Sequence, residues 1–283
     1  MSANKRLKLS SMAPSNHVTG SAIFHFYDPD IQAKDALGRT QEQILKWDNS
    51  HLENSHNYIQ MLFPLPESSP FNYRAPVIDL ETMNAFRAND QLRQQLRKSF
   101  ERMLTFYGFT TSMHPEVASE DKDTSEIEKR EGTTTVQNAE VSPAASGEDA
   151  TAYNTTTTTT TEPPAPEAEA ANPEPTSQVS PFGYYVVRGP NWRKASHNWC
   201  VHFNHNHLRI TRILRCLRLL GLQTECDAFF VALKRVYDDP DVSIGNYTME
   251  YWTRAVQRPL YIAPDGDRIE WLKTWEAEQQ KEG

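Results

Sequence analysis

Between Glu116 and Gln178 the chain carries almost no side chain that a folded core can use. The stretch runs through TTTVQNAE, TTTTTTTEPPAPEAEA and NPEPTS. Thr, Glu, Pro, Ala and Ser cannot bury enough surface to offset the entropy of ordering a chain. Residues 110–180 are therefore expected to form a disordered Thr/Glu/Pro-rich insertion, and any fold must be built from its flanks. Glu116–Gln178 holds fourteen acidic and three basic residues (Lys122, Lys129 and Arg130), a net of −11 within a 283-residue chain of −8, which leaves +3 for the remainder. The acidity belongs to the insertion. The flanks are mildly basic, without the concentrated basic face of a strong nucleic-acid binder.

The flanks read as helical. Residues 1–20 look like a flexible tail, and the cluster Lys5-Arg6-Leu7-Lys8 fits either a nuclear import signal or an ordinary solvated terminus. Order begins near Ile23 with Phe24, Phe26 and Tyr27. Thr40 followed by Gln43 is a capping-box pattern. Ile44, Trp47, Leu52, Ile59, Leu62 and Phe63 then keep helical spacing, with a break at Asn49-Ser50 and a stop at Pro64 and Pro66. Asp79 suits the cap of a short helix with Leu80, Met83 and Phe86. Asp90 suits that of a longer one with Leu92, Leu96, Phe100, Met103, Leu104 and Tyr107, ending at Gly108. Beyond the insertion, Tyr184-Tyr185-Val186-Val187 reads as an extended stretch or as a strand paired with the N-terminal aromatics. Asn191–Phe203 reads as a helix or irregular turn, and residues 206–220 form an amphipathic helix closed by Gly221. Three more apolar stripes follow, the second being Ile244, Tyr247, Tyr251, Trp252 and Ala255.

These patterns predict an all-α fold: a single helical domain of about seven or eight helices, discontinuous over 21–109 and 181–283. The three cysteines, Cys200, Cys216 and Cys226, fit a reduced compartment rather than a disulfide framework. No early apolar run resembles a signal peptide, and no stretch approaches the ~18 apolar residues of a membrane span. The expected setting is intracellular, nucleus or cytoplasm, including the periphery of the nuclear membrane.

Three groups of residues invite chemistry. On the 206–220 helix Ile210, Ile213, Leu214, Leu217 and Leu220 share one face, while Arg209, Arg212, Arg215 and Arg218 spread over the other half. That face reads either as a surface for an acidic peptide, a phosphate backbone or an acidic protein, or as a solvated face paired with local carboxylates, the commoner case. His197, Cys200, His202, His205 and His207 raise a metal site, but all five lie within eleven residues and lack the two separated pairs of a structural zinc site. No metal or cofactor is expected. Ser55-His56-Asn57-Tyr58-Ile59-Gln60 and Asn204-His205-Asn206-His207 place His56, Gln60 and Asn206 at or beside apolar faces, where polar groups must be hydrogen-bonded. The expectation is a core network in which a buried His56 meets Asn206, with a polar pocket as the alternative. No G-x-S-x-G, H-E-x-x-H or glycine-rich phosphate loop is present.

The same residues carry a resemblance. His51-Leu-Glu-Asn-Ser-His-Asn-Tyr-Ile-Gln-Met-Leu-Phe-Pro64 resembles the opioid growth factor receptor conserved-domain family, whose pattern reads LE-x-x-H-x-YIQWLFP. Arg102-Met-Leu-x-Phe-Tyr-Gly108 and His205-Asn206-His-Leu-Arg-Ile-Thr-Arg-Ile-Leu-Arg-Cys-Leu217 resemble the later blocks in the same order. The chain departs from the pattern at Met61 (Trp in the family), at His207 (Tyr) and in its longer insertion. The resemblance implies a helical domain and a receptor for an enkephalin-type growth factor, associated with nuclei. It makes a non-enzymatic peptide- or protein-binding domain the leading expectation, with His56, Gln60, Asn206, Arg209, Arg212 and Arg215 as candidate binding residues. The alternatives are a nucleic-acid-associated nuclear protein using the Arg209–Arg218 face, and an enzyme with a pocket near His56 and Asn206.

Overall fold

The computed structural model describes residues 18–69, 72, 75–116 and 183–282. The basic cluster at 5–8 and residues 117–182 lie outside the described residues. The elements run α1 (Val18–Tyr27), α2 (Gln41–Leu45), α3 (Asn49–Asn54), α4 (Ile59–Leu62), α5 (Leu80–Ala88), α6 (Asp90–Tyr107), β1 (Phe109–Ser112), β2 (Tyr185–Arg188), α7 (Trp192–Ser196), α8 (His205–Leu219), α9 (Gln223–Tyr237), α10 (Asn246–Gln257) and α11 (Glu270–Glu282). The protein is mostly helical. Among the described residues seven helices have nine residues or more, and the others have four to six. None of them is long and apolar enough to cross a membrane.

Local chemistry explains most of the boundaries. Thr40 Oγ1 accepts from Gln43 N while Gln43 Oε1 accepts from Thr40 N, the reciprocal capping box that starts α2. Asp48 caps α3 through His51 N, and Asp79 caps α5 through Thr82 N. The start of α6 differs from expectation by one residue. Asn89 supplies the cap, its Oδ1 accepting from Gln91 N and Leu92 N, and Asp90 is the first helical residue, where its charge faces the positive helix end. Gly108 ends α6 at φ 92°, and a Cβ there would stand 3.0 Å from both Ala195 Cβ and Trp192 Cα. Only glycine fits both the left-handed turn and that approach.

Side chains from before and after the insertion fill one core. Leu96, Phe100, Met103 and Tyr107 of α6 are fully buried, as are Ile210, Ile213, Leu214 and Leu217 of α8 and Phe229 of α9. Phe100 and Phe229 meet edge to face at 5.4 Å, and Trp199 Nε1 donates to Tyr107 O at 3.0 Å. Tyr27 of α1 donates to Leu62 O at the end of α4.

The extended stretch after the insertion is strand β2, but its partner is not the N-terminal aromatic run, which is helical in α1. It pairs antiparallel with β1, Phe109 opposite Arg188 and Ser112 opposite Tyr185. Residues 110–116, assigned above to the insertion, thus belong to the fold. The strand pair brings the chain's exit and re-entry together: a Cβ on Gly183 would lie 3.0 Å from Met113 O.

That geometry generates a prediction. Replacing 117–182 by a flexible turn of about eight residues removes some three doublings of loop length, each worth about 0.6 kcal/mol. The shortened protein is expected to unfold cooperatively with stability equal to or up to about 2 kcal/mol above the parent. Urea denaturation followed by circular dichroism checks this; a non-cooperative transition contradicts it.

Candidate functional site

The arginines of α8 point inward. Arg209, 6% exposed, donates to Leu52 O (3.2 Å), Glu53 O (3.2 Å), Ser55 O (2.8 Å) and Asn206 Oδ1 (3.0 Å). Arg212 donates to Phe63 O at 3.0 Å. Arg215, 1% exposed, pairs with the Glu67 carboxylate (2.8 Å from Nε) and donates to Leu260 O at 3.1 Å. Arg218 donates to Ala255 O and Arg258 O at 2.9 and 3.0 Å. Most of these carbonyls lie in or just beyond the last turns of α3, α4 and α10, where a helix leaves acceptors without an intrahelical donor. Burial pushes the Arg212 and Arg218 pKa values down from the usual arginine range. Of the two sequence readings, pairing with local carboxylates is met at Arg209 (Glu53) and Arg215 (Glu67), but these two side chains are buried rather than solvated, and Arg212 and Arg218 are half-buried. A guanidinium presents five donors on one plane, which lets a cationic side chain replace water for several carbonyls at once. The donors of Arg209 and Arg215 are thus taken up inside the fold.

The contact expected between His56 and Asn206 is made by Glu53. Asn206 is fully buried; its Nδ2 donates to Glu53 Oε2 (3.1 Å) and its Oδ1 accepts from Arg209. His205 Nε2 lies 3.1 Å from Glu53 Oε1. His56 is exposed and stacks on His205 at 5.5 Å with the rings 16° apart. It sits in the turn between α3 and α4, where the helical phase linking it to Ile59 is lost. Asn206 has both amide groups committed, so it forms no reactive pair with His56. Gln60 is buried in α4, and its Oε1 has no hydrogen-bond partner among the described residues. Of the six candidates, His56, Asn206 and Arg209 gather around Glu53, while Arg212 and Arg215 lie further along α8.

His207 is a bridge. Its Nε2–H donates to Trp199 O (2.8 Å), leaving Nδ1 to accept from Thr248 Oγ1 (3.0 Å), the tautomer of a neutral ring. Its backbone oxygen accepts from Trp252 Nε1 at 3.1 Å. Among the described residues no three His, Cys, Asp or Glu side chains are arranged to hold a metal ion.

A groove of about 520 Å³, none of whose lining was among the candidate binding residues, lies between the turn before α8 and the start of α10. His202, Phe203, Ile244, Asn246, Tyr247 and Thr248 line it, and Gly245 N donates to His202 O across its base at 3.1 Å. Phe203 is 75% exposed and Tyr247 63%. Tyr247 was assigned to the apolar stripe of its helix. Of that stripe Ile244, Trp252 and Ala255 are buried as expected, joined by Thr248, while Tyr247 is exposed and Tyr251 half-buried, their rings 4.8 Å apart. Tyr247 lies at the edge of the apolar stripe of α10, where spacing alone does not say whether a residue is covered.

A model of the opioid growth factor receptor conserved region matches residues 18–130 and 182–260. The chain belongs to this family. The opioid growth factor receptor of Mus musculus is 27% identical over 185 residues, 64% of this chain and 18% of its own length. That of Rattus norvegicus is 34% identical over 86 residues (30% and 15%), and that of Homo sapiens 37% over 70 residues (24% and 10%). The match thus covers less than a fifth of any of the three relatives. No solved structure matches the chain. The matched residues include the short helices α2–α4, the arginines of α8 and the groove.

Two predictions follow from the buried charges and imidazoles. Arg215→Gln leaves the largely buried Glu67 without its cation and is expected to cost about 3–5 kcal/mol. Urea midpoints measure it, and a change below about 0.5 kcal/mol, as for a solvated arginine, contradicts the burial. Burial holds His207 below the usual histidine range, and burial with the Arg209 charge does the same for His205 against the opposing pull of Glu53. The unfolded chain therefore takes up these protons first, at about pH 6.5. Stability is full above that value and declines as pH falls through it. The loss in urea midpoint between pH 7.5 and 5.5 is expected to shrink in His207→Gln; an unchanged slope places the titration elsewhere.

Proposed function

We propose that this protein is a non-enzymatic peptide- or protein-binding domain that meets its partner at the Phe203–Tyr247 groove. The observation that carries the reading is the exposure of two aromatic side chains, Phe203 and Tyr247, lining one concave surface, in a fold that takes up Arg209 and Arg215 inside. Large aromatic side chains supply contact area at low entropic cost and dominate binding hot spots. The related proteins are named receptors, which supports a ligand-binding role, and an opioid growth factor peptide is the first ligand to test. The domain proposed comprises 18–116 and 183–282, with the acidic Thr/Glu/Pro-rich stretch as an insertion. Lys5-Arg6-Leu7-Lys8 supports a place in the nucleus as well as the cytoplasm.

The test is capture of cellular partners, and titration with the opioid growth factor peptide, by wild type and by Phe203→Ala. An exposed side chain contributes little to stability, so the variant is expected to keep its urea midpoint. Loss of a central aromatic anchor is expected to weaken binding at least tenfold, equivalent to about 1.4 kcal/mol or more. Undiminished binding by a folded Phe203→Ala protein counts against the groove.

A further inference from the structure

We propose that a pocket where the end of α1, the start of α2 and the middle of α6 meet binds a free α-amino acid with an apolar side chain. It shares no lining residue with the Phe203–Tyr247 groove and stands independently of the reading of that groove. Its volume, about 310 Å³, is at the small end of the ~300–1,000 Å³ usual for small-molecule sites, so the ligand is compact.

The group that points to a ligand is Gln41, which is only 7% exposed. Both hydrogens of its Nε2 are engaged by α6, one with Gln95 O at 2.8 Å and the other with Ser99 Oγ at 2.9 Å. Gln95 O can only accept, which fixes the orientation of the amide. Oε1 is therefore the end that Gln41 presents to the pocket, and it accepts from no described residue. A carbonyl oxygen of a buried side chain is costly to leave without a donor. Two carboxylates on the same wall each have an oxygen to spare. Asp28 Oδ1 accepts from Asp30 N at 2.8 Å and Glu42 Oε1 from Lys46 Nζ at 2.6 Å, whereas Oδ2 and Oε2 bond to none of the described residues. Lys46, and after it Lys98, holds the Glu42 carboxyl below the usual carboxylate range, which keeps it ionised. Three free acceptors, two of them on anions, match the three N–H donors of a primary ammonium group.

The remaining lining selects a zwitterion. Lys98 is exposed, makes no close ion pair among the described residues, and lies near enough for Glu42 to feel its charge. A plain amine leaves that cation facing a like charge, whereas an α-amino acid brings a carboxylate to it. A plain carboxylate leaves Gln41 Oε1 and Asp28 without a donor. Phe26, Pro29 and Leu45 complete the lining with apolar surface for the side chain of the ligand.

Isothermal titration calorimetry of the full chain tests this with L-leucine, with L-leucinamide, which lacks the carboxylate, and with N-acetyl-L-leucine, which lacks the ammonium. L-Leucine is expected to bind saturably at concentrations up to about 10 mM, and the other two at least about tenfold more weakly, the loss of one charge-assisted contact. Asp28→Asn keeps an acceptor for Asp30 N, and Lys98→Ala alters an exposed side chain, so both variants should keep the urea midpoint. Asp28→Asn should weaken L-leucine at least about tenfold. Lys98→Ala should remove the preference for L-leucine over L-leucinamide, an effect that a purely structural lysine would not have. Lys234→Ala, exposed on α9, is the control and should bind as wild type does. Absence of saturable L-leucine binding overturns the site. So does N-acetyl-L-leucine binding as tightly as L-leucine, and so does undiminished L-leucine binding by folded Asp28→Asn and Lys98→Ala proteins.

Discussion

A helix of four to six residues leaves nearly all its carbonyls without an intrahelical donor, and this chain places three such helices in succession, α2, α3 and α4. Their ends are closed by arginines from elsewhere. Arg102 of α6 donates to Leu45 O and Trp47 O, Arg209 of α8 serves the end of α3, and Arg212 serves the end of α4. The same device recurs at the end of α8 itself, where Arg87 donates to Arg218 O and Leu219 O. Segment 41–63 has little regular structure of its own to hold it in place. Its conformation depends on cations fixed to the two long central helices, and charge-assisted hydrogen bonds to carbonyls favour a single arrangement over sliding alternatives.

Much of this was legible in the residues, and the failures have a common physical cause. Cap residues act within three or four positions of themselves, so Thr40–Gln43, Asp79 and the Gly108 stop could be read locally. Burial of a polar side chain depends on what arrives from far along the chain. Arg209 and Arg215 carry the same local signal as solvated arginines, and only the carbonyls of residues 52–63 and 255–262 distinguish the two cases. His56 failed because a helix broken at Ser55 resets its phase, and Glu53, three residues earlier, takes the contact. Tyr247 failed because it sits at the edge of a stripe whose other members Ile244, Trp252 and Ala255 are buried. The β1–β2 pairing failed because its partner lay inside the stretch whose composition had been read as insertion.

The buried arginines also change what the family relationship conveys. The block Leu208-Arg-Ile-Thr-Arg-Ile-Leu-Arg-Cys-Leu217 that carries the resemblance is largely a packing and hydrogen-bonding unit. Membership therefore transfers an architecture, in which α8 organises the segment before the insertion. The proposed docking residues Phe203 and Tyr247 lie outside that unit, among the exposed large side chains.

The dependence of α3 and α4 on Arg209 and Arg212 also has a consequence for how the protein is made. The carbonyls of Leu52, Glu53, Ser55 and Phe63 leave the ribosome well before the guanidiniums that bond them. Some 150 residues separate donor from acceptor, which at ~5–20 residues per second is on the order of ten seconds of synthesis. Throughout that interval the nascent N-terminal segment has its contacts with α1 and α6, such as Tyr27 with Leu62 O, but lacks the arginine bonds that close α3 and α4. The last bonds that close the segment before the insertion are thus set by the arrival of α8.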